Sequence, residues 1–272
     1  MKVGQTIYLD HQATTPVDPR VVAEMAPYFE DSFGNPHSKD HSIGWTASLA
    51  VDMSSDRIAA LIGADKDEII FTSGATESNN LALLGLCRKN TDKKRHRVLL
   101  SAIEHKSVLA VGRVLETQLG YDVQLLPVNR SGCVEMATLE SALDDHVLVV
   151  SIMAVNNEIG TIQDLGSLAK TIRDAGAFLH CDAAQTPLAI DIALFADGID
   201  MISLSSHKMG GPKGIGALYV RRDLQKQIEP LIYGGGQQNG LRSGTVPVAL
   251  CVGMGAASSL CRSSEAVNER RK

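Results

Sequence analysis

The chain has 272 residues, 44% of them hydrophobic and 21% charged, the balance of a soluble globular protein of one large domain or two small ones. Its net charge of −5 leaves no basic excess to neutralise phosphates, which argues against a nucleic-acid partner. No apolar run nears the roughly 18–20 residues of a membrane span, and the opening MKVGQTIYLD holds no apolar stretch of signal-peptide length, so the expected location is cytoplasmic.

In chain order, Asp18-Pro19 reads as a helix N-cap followed by proline at the first helical position. The stretch FGNPHS (Phe33–Ser38) is a turn-rich loop. Apolar, β-branched runs then recur at Glu68–Phe71, Arg97–Leu100, Asp122–Leu126, Val147–Met153, Ala177–His180, Met201–Leu204 and Ile215–Val220. Several are apolar at nearly every position, as strands covered on both faces are. Helix-like stretches separate many of them. Thr76–Arg88 follows the first run. Lys106–Leu119 carries a stripe of Val108, Leu109, Val111, Val114 and Leu115 and closes at Gly120. Asp164–Ala175 has Leu165, Leu168, Ala169 and Ile172 at helical spacing. Pro247 opens a last apolar helix, running to Leu260. Alternating strand and helix predicts an α/β fold with a mainly parallel sheet of seven strands between helix layers.

The cysteines are Cys87, Cys133, Cys181, Cys251 and Cys261. An odd, scattered set without a CxxC pair argues against a disulfide framework and a zinc site, and no metal is expected.

Ligands of open α/β sheets bind beyond the carboxyl ends of the strands, so the residues after each run carry the chemistry. After EIIF comes TSGATESNN, a small-residue turn into a helix near Thr76, where free backbone N–H groups suit a phosphate and Thr72, Ser73 and Thr76 offer hydroxyls. Neither a P-loop nor a GxGxxG fingerprint is present, so ATP and NAD gain little support. A plain capped helix is the alternative. After RVLL, His105 sits at a strand-to-helix corner, where a histidine is structural or functional. After VLVVSIM come Asn156, Asn157 and Glu158, costly to desolvate unless paired. After AFLH come Asp182 and Gln185, and after MISL come Ser205, His207 and Lys208. Together these strand ends supply a phosphate cradle, a flat ring, an acid, amides and a lysine. Pyridoxal 5'-phosphate calls for that whole set: an amine for its aldehyde, an acid opposite its pyridine nitrogen, and a phosphate cup.

The motifs also resemble a known family. YLDHQATTPVDPRV, FGNPHS, EIIFTSGATESNNLAL, EHKSVL, VSIMAVNNEIGTIQD, HCDAAQ, SSHKMGGPKGIGALYVRR, GGGQQNGLRSGTVP and VGMGAA are similar, over nearly the whole chain, to group I (NifS/IscS-like) cysteine desulfurases. These are class V aminotransferases with the type I pyridoxal-phosphate (aspartate aminotransferase-like) fold. The resemblance implies that Lys208 attaches the cofactor and that Asp182 pairs with its pyridine nitrogen. It implies that His105 stacks on the ring and handles protons. Gln185 and Asn157 would contact the ring's phenolic oxygen or the substrate region. Ala75, Thr76, Ser205 and His207 would form the phosphate cup. Thr245, in RSGT, would reach the phosphate of a neighbouring subunit, which implies a homodimer.

The implied reaction converts L-cysteine to L-alanine and passes sulfur, as a persulfide on an enzyme cysteine, toward iron–sulfur cluster assembly or tRNA thiolation through a sulfur-acceptor scaffold. The resemblance puts that cysteine and the arginine that binds the substrate carboxylate beyond Lys272, with the small domain largely absent. The expected division is an N-terminal segment 1–15, a cofactor-binding large domain 16–260, and the start of a C-terminal region 261–272. None of the five cysteines matches the nucleophile. Cys181 directly precedes Asp182, and consecutive strand residues point to opposite faces, so if Asp182 faces the cofactor Cys181 does not. Two other readings stay open: a non-catalytic, cofactor-binding or dimerising fragment, and a selenocysteine lyase.

Overall fold

The structure, a computed structural model, describes residues 2–92, 94–193 and 195–263. A two-stranded hairpin, β1 (Lys2–Val3) and β2 (Thr6–Ile7), opens it. Then come α1 (Pro19–Met25), α2 (Ser42–Ile62), β3 (Ile69–Thr72), α3 (Ala75–Lys89), β4 (Arg97–Ser101), α4 (Lys106–Leu119) and β5 (Asp122–Leu126). The chain continues through α5 (Met136–Ala142), β6 (Val147–Ser151), α6 (Leu165–Asp174), β7 (Phe178–Asp182), β8 (Met201–Ser205), β9 (Gly216–Val220) and α7 (Val248–Cys261). Each of the seven apolar runs is a strand, within a residue or two of its expected limits.

The strands join in the order β3-β9-β8-β7-β6-β4-β5. The five from β5 to β8 are parallel, and β9 runs antiparallel to both β8 and β3. Two reversals restore direction, so β3 points the same way as β8. The carboxyl ends of β3, β4, β6, β7 and β8 therefore meet at one edge. Both faces are covered, and strand residues alternate between two cores. Val98, Leu100, Leu148, Met201 and Leu218 pack with Leu81, Leu83, Val108 and Leu115 of α3 and α4. Leu99, Val150, Leu179, Ile202 and Ala217 pack on the other side with Ile58, Leu139, Ile172 and Met254. This double burial is why the runs are apolar throughout instead of alternating.

Helices α3, α4, α6 and α7 lie where the periodicity predicts them, and the Asp18 side chain caps α1 as expected. Two helices go beyond the sequence expectation, α5 and the 21-residue α2. Ile58, Leu61 and Ile62 fill the core at the end of α2, but up to Ser55 its inward face is made of small residues, Gly44, Ala47, Ala50, Ser54 and Ser55, while Trp45, Leu49 and Met53 face outward. That inverts the usual apolar stripe. The reason is close packing against α7: a methyl group added at Gly255 would stand 2.9 Å from Ser54 Cα. No helix among the described residues is long and apolar enough to cross a membrane.

Candidate active site

A cavity of about 470 Å³ opens at the edge where the parallel strands end. Nine of the ten residues to which the resemblance gives a role line it: Ala75, Thr76, His105, Asn157, Asp182, Gln185, Ser205, His207 and Lys208. The tenth, Thr245, lies away from it, exposed on the loop before α7. Ser73, Gly74, Ser107, Met153, Ala184, Lys213 and Gly214 also line the cavity. Lys213 was legible in the same GGPKG turn that singles out Lys208. Thr72, a sequence candidate for a hydroxyl donor, is buried instead and bonds the Ser78 hydroxyl at 2.8 Å. It braces the start of α3 and does not face the cavity.

One wall is the N-terminus of α3. Gly74 caps this helix at φ +151°, a conformation suited to glycine, and a Cβ placed there meets no protein atom within 4 Å. Among the described residues, nothing accepts from the Ala75 and Thr76 amides, so these first-turn donors point to open space. Glu77 in the same turn accepts from the Ser73 amide (2.7 Å) and from Arg242 Nε (2.8 Å). Burial pushes its carboxyl up, but Arg242 and Ser73 outweigh that and hold it below the usual range. Its negative charge is thus engaged with Arg242 beside the cradle.

The floor is Asp182, only 4% exposed. Its oxygens accept from the Ala184 amide (3.0 Å) and from Asn79 Nδ2 (2.8 Å). Burial still raises its carboxyl above the ordinary value, against the pull of that amide, Asn79, His105 and Lys208. Asn79 Nδ2 also donates to the Ser107 hydroxyl (2.9 Å), which lies 2.8 Å from His105 Nδ1. Because Nδ1 accepts the Ser107 amide (3.2 Å), the neutral ring carries its proton on Nε2. Asn79 therefore ties the acid on the floor to the histidine on the wall. Cys181, one residue before Asp182, packs in the opposite core, and burial pushes its thiol far up.

Lys208 enters from a short 3-10 turn after β8 and donates to the carbonyls of Gln12 and, at 3.0 Å, Ala13. Burial lowers its ammonium below the ordinary value while Asp10 and Asp182 oppose the shift. Gln185 Nε2 reaches the same Gln12 carbonyl at 2.9 Å. Thr15 accepts from the Gly210 amide (2.9 Å) and donates to the His207 carbonyl (2.9 Å), and His207 Nδ1 meets the Thr14 hydroxyl at 3.0 Å. The N-terminal segment is thus strapped across the lysine turn. Burial, then the charges of Lys208 and Lys213, lower His207.

This donor set fits pyridoxal phosphate. A phosphate would find the α3 amides, Ser205 and His207 here, a flat ring would find His105, and a pyridine nitrogen would find Asp182. An aldehyde would find Lys208.

The comparisons with known proteins agree with the geometry. Residues 7–272 match the family described as Aminotransferase class-V. Curated relatives include the protein "Cysteine desulfurase IscS" of Rickettsia rickettsii (strain Iowa), 51% identical over 94% of this chain and 62% of that one. The protein of the same name from Rickettsia prowazekii (strain Madrid E) is 49% identical over 98% of this chain and 63% of that one. The chain thus spans a little over three-fifths of the length of these relatives. Among solved structures, a "NIFS-LIKE PROTEIN" superposes with a TM-score of 0.91 at 38% identity, over 97% of this chain and 71% of that one. "SspA in complex with cysteine" superposes at 0.88 and 42% identity, covering 93% and 72%. DndA from Streptomyces lividans gives 0.83 at 40% identity, covering 97% and 73%. A family match from the second hairpin strand onward, on a fold shared with NifS-like structures, means that the chain belongs to the aminotransferase class-V family.

Proposed function

We propose that this chain holds pyridoxal 5'-phosphate and provides the cofactor half of a cysteine desulfurase, the activity that converts L-cysteine to L-alanine. The sulfur would leave as a persulfide bound for iron–sulfur cluster assembly or tRNA thiolation. The observation that carries the reading is the convergence of Lys208, Asp182, His105 and the α3 N-terminus on one cavity. The names of the relatives, and a neighbour described in complex with cysteine, support the substrate.

When bound, the cofactor supplies an electron sink for bonds at the substrate's α-carbon. The chain's own residues do the rest. The Ala75 and Thr76 amides, Ser205 and His207 hold the phosphate. Asp182 would accept the pyridine N–H, and the positive charge of that nitrogen would favour its carboxylate form. Lys208, lowered by burial, has a neutral amine within easier reach than a surface lysine and moves protons at the α-carbon. His105, held through Nδ1 by Ser107, would stack on the ring and keep Nε2 free to handle a proton. Gln185 and Asn157 bind along the ring edge. Thr245, exposed on its loop, would reach the phosphate of a second copy in a homodimer. The proposed location is cytoplasmic.

A second reading has one observation in its favour. Among the described residues no cysteine lines the cavity, as a chain that binds cofactor and dimerises without itself carrying sulfur would have it. One experiment separates the readings. The chain is loaded with pyridoxal phosphate, reduced with borohydride and digested. The cofactor's mass is expected on the Lys208 peptide and is expected to vanish in Lys208→Ala. A protein that stays colourless with added cofactor would end both readings. Catalytic formation of alanine from L-cysteine by this chain would end the second, and faster turnover of selenocysteine would redirect the first.

A further inference from the structure

We infer that Glu104 is a positioning residue of this cavity: its carboxyl ties the corner that carries His105 to the turn that carries Met153 and Asn157, and so sets the width of the slot. The argument begins with backbone pairing. Beyond β6, the amides of Ile152 and Ala154 donate to the His180 and Asp182 carbonyls of β7. Strand amides alternate in direction, so the Met153 amide points the other way, toward β4. But β4 has ended at Ser101 and turned into α4. Glu104 Oε1 takes the place of the missing strand and accepts from Met153 N–H at 2.6 Å. A second tie runs beside it, from Asn156 Nδ2 to the Ile103 carbonyl at 2.8 Å.

Glu104 is 5% exposed and Met153 2%, so water cannot replace this bond. The other oxygen, Oε2, is buried without a hydrogen-bond partner. A negative charge on that oxygen is costly in so buried a place. Burial pushes Glu104 well above its ordinary value and Asp182 adds to that, against the Met153 amide and the Ser151 hydroxyl, which pull it down. A neutral amide of the same shape should therefore replace it.

The inference rests on the pyridoxal-phosphate reading, and the test keeps the two apart. The wild-type chain, Glu104→Gln and Glu104→Ala are compared in two ways. Hydrogen exchange follows the Met153 amide without ligand, and the induced dichroism of added pyridoxal phosphate reports ring orientation and affinity. Glu104→Gln should keep the amide protected and the dichroism unchanged. Glu104→Ala should release the amide, weaken the dichroism and loosen the cofactor about tenfold, the effect of one unsatisfied buried donor. Wild-type exchange and dichroism in Glu104→Ala would overturn the inference. If Glu104→Ala does not fold, Glu104→Gln decides alone, because lost protection there contradicts the neutral tie. If the wild type itself shows no dichroism, the cofactor reading fails, and exchange still judges the tie.

Discussion

Gly216→Ala tests whether the cradle at α3 depends on contact between main chains. Gly216 sits at the start of β9, paired with Ser205 on one side and Thr72 on the other. A Cβ built there would lie 2.6 Å from Gly74 Cα, 2.6 Å from the Leu204 oxygen and 2.7 Å from the Gly74 carbonyl carbon. Ordinary contact begins near 3.4 Å, so the backbones must part by roughly 0.8 Å. No side chain can swing aside, because every obstructing atom is main chain, and β9 is clamped by neighbours on both edges. Overpacking of this kind costs about 1–3 kcal/mol. For a chain of this size that lowers the melting temperature by about 2–12 °C. The displaced group is Gly74, the cap of the helix proposed to hold phosphate. A shift near 1 Å in a positioning element costs up to about 100-fold, and at least tenfold weaker binding of pyridoxal phosphate is expected. Calorimetric melting of the ligand-free chain and a cofactor titration read the two effects. A melting point moved by less than about 1 °C, with unchanged affinity, would refute the close-approach argument.

Three other perturbations follow from the charges and thiols. Asp182→Asn should stabilise the ligand-free chain while weakening cofactor binding. The folded carboxyl sits above its unfolded value, so the unfolded chain loses its proton first and stability falls as pH rises between the two. The gain in melting temperature should therefore be larger at neutral pH than in acid below the unfolded carboxyl's value, and an equal gain at both would contradict the burial argument. The new amide keeps its partners because Asn79 Oδ1, now without one, can turn to accept from it. Arg242→Ala should cost about 1–3 kcal/mol at neutral pH, between exposed and buried ion pairs. Glu77 is held below its ordinary value, so that contribution is lost as pH falls through the lowered value; a denaturation series across acid pH checks it. Under native conditions a thiol reagent should label Cys133, the one cysteine that is not buried, and reach all five only on unfolding. Burial pushes Cys87 to about 12, so its thiolate is scarce as well as hidden. Native labelling of Cys181 would show that the strand alternation has been misread.

The strands were legible because each run is apolar on both faces, and once strands are known their carboxyl ends point to the site. Nine site residues follow from that rule together with the resemblance. What stayed hidden depends on partners remote in sequence or on backbone. The Lys208 latch uses the carbonyls of Gln12 and Ala13, which no side-chain pattern reveals. The Glu77–Arg242 pair bridges 165 positions. Glu104 stood in plain view beside His105, yet its role follows only from where β4 stops. Helix α2 was missed because the expected pattern places large apolar residues inward. Where two helices touch backbone to backbone, small residues face the core, and the large ones, Trp45, Leu49 and Met53, are turned outward.

The electrostatics of the cavity explain why one ligand suits it. The same burial raises the acid, Asp182, and lowers the bases, Lys208 and His207. Each group by itself is pushed toward neutrality, which is the mark of a site that disfavours isolated charge of either sign. A ligand carrying negative charge at one end and a protonated nitrogen at the other reverses both shifts at once. A phosphate held by the α3 amides and His207 would favour the cation there, and a protonated ring nitrogen held by Asp182 would favour the carboxylate. Lys208 stands between, with two carbonyls of the N-terminal segment favouring its charged form and burial favouring its neutral one. Away from those carbonyls the amine would lose the contacts that favour its charge, which is what attachment of an aldehyde would require of it. The strap over residues 12–15 is therefore more than packing: its carbonyls fix the position and favour the charge of the one amine at the centre of these opposed shifts.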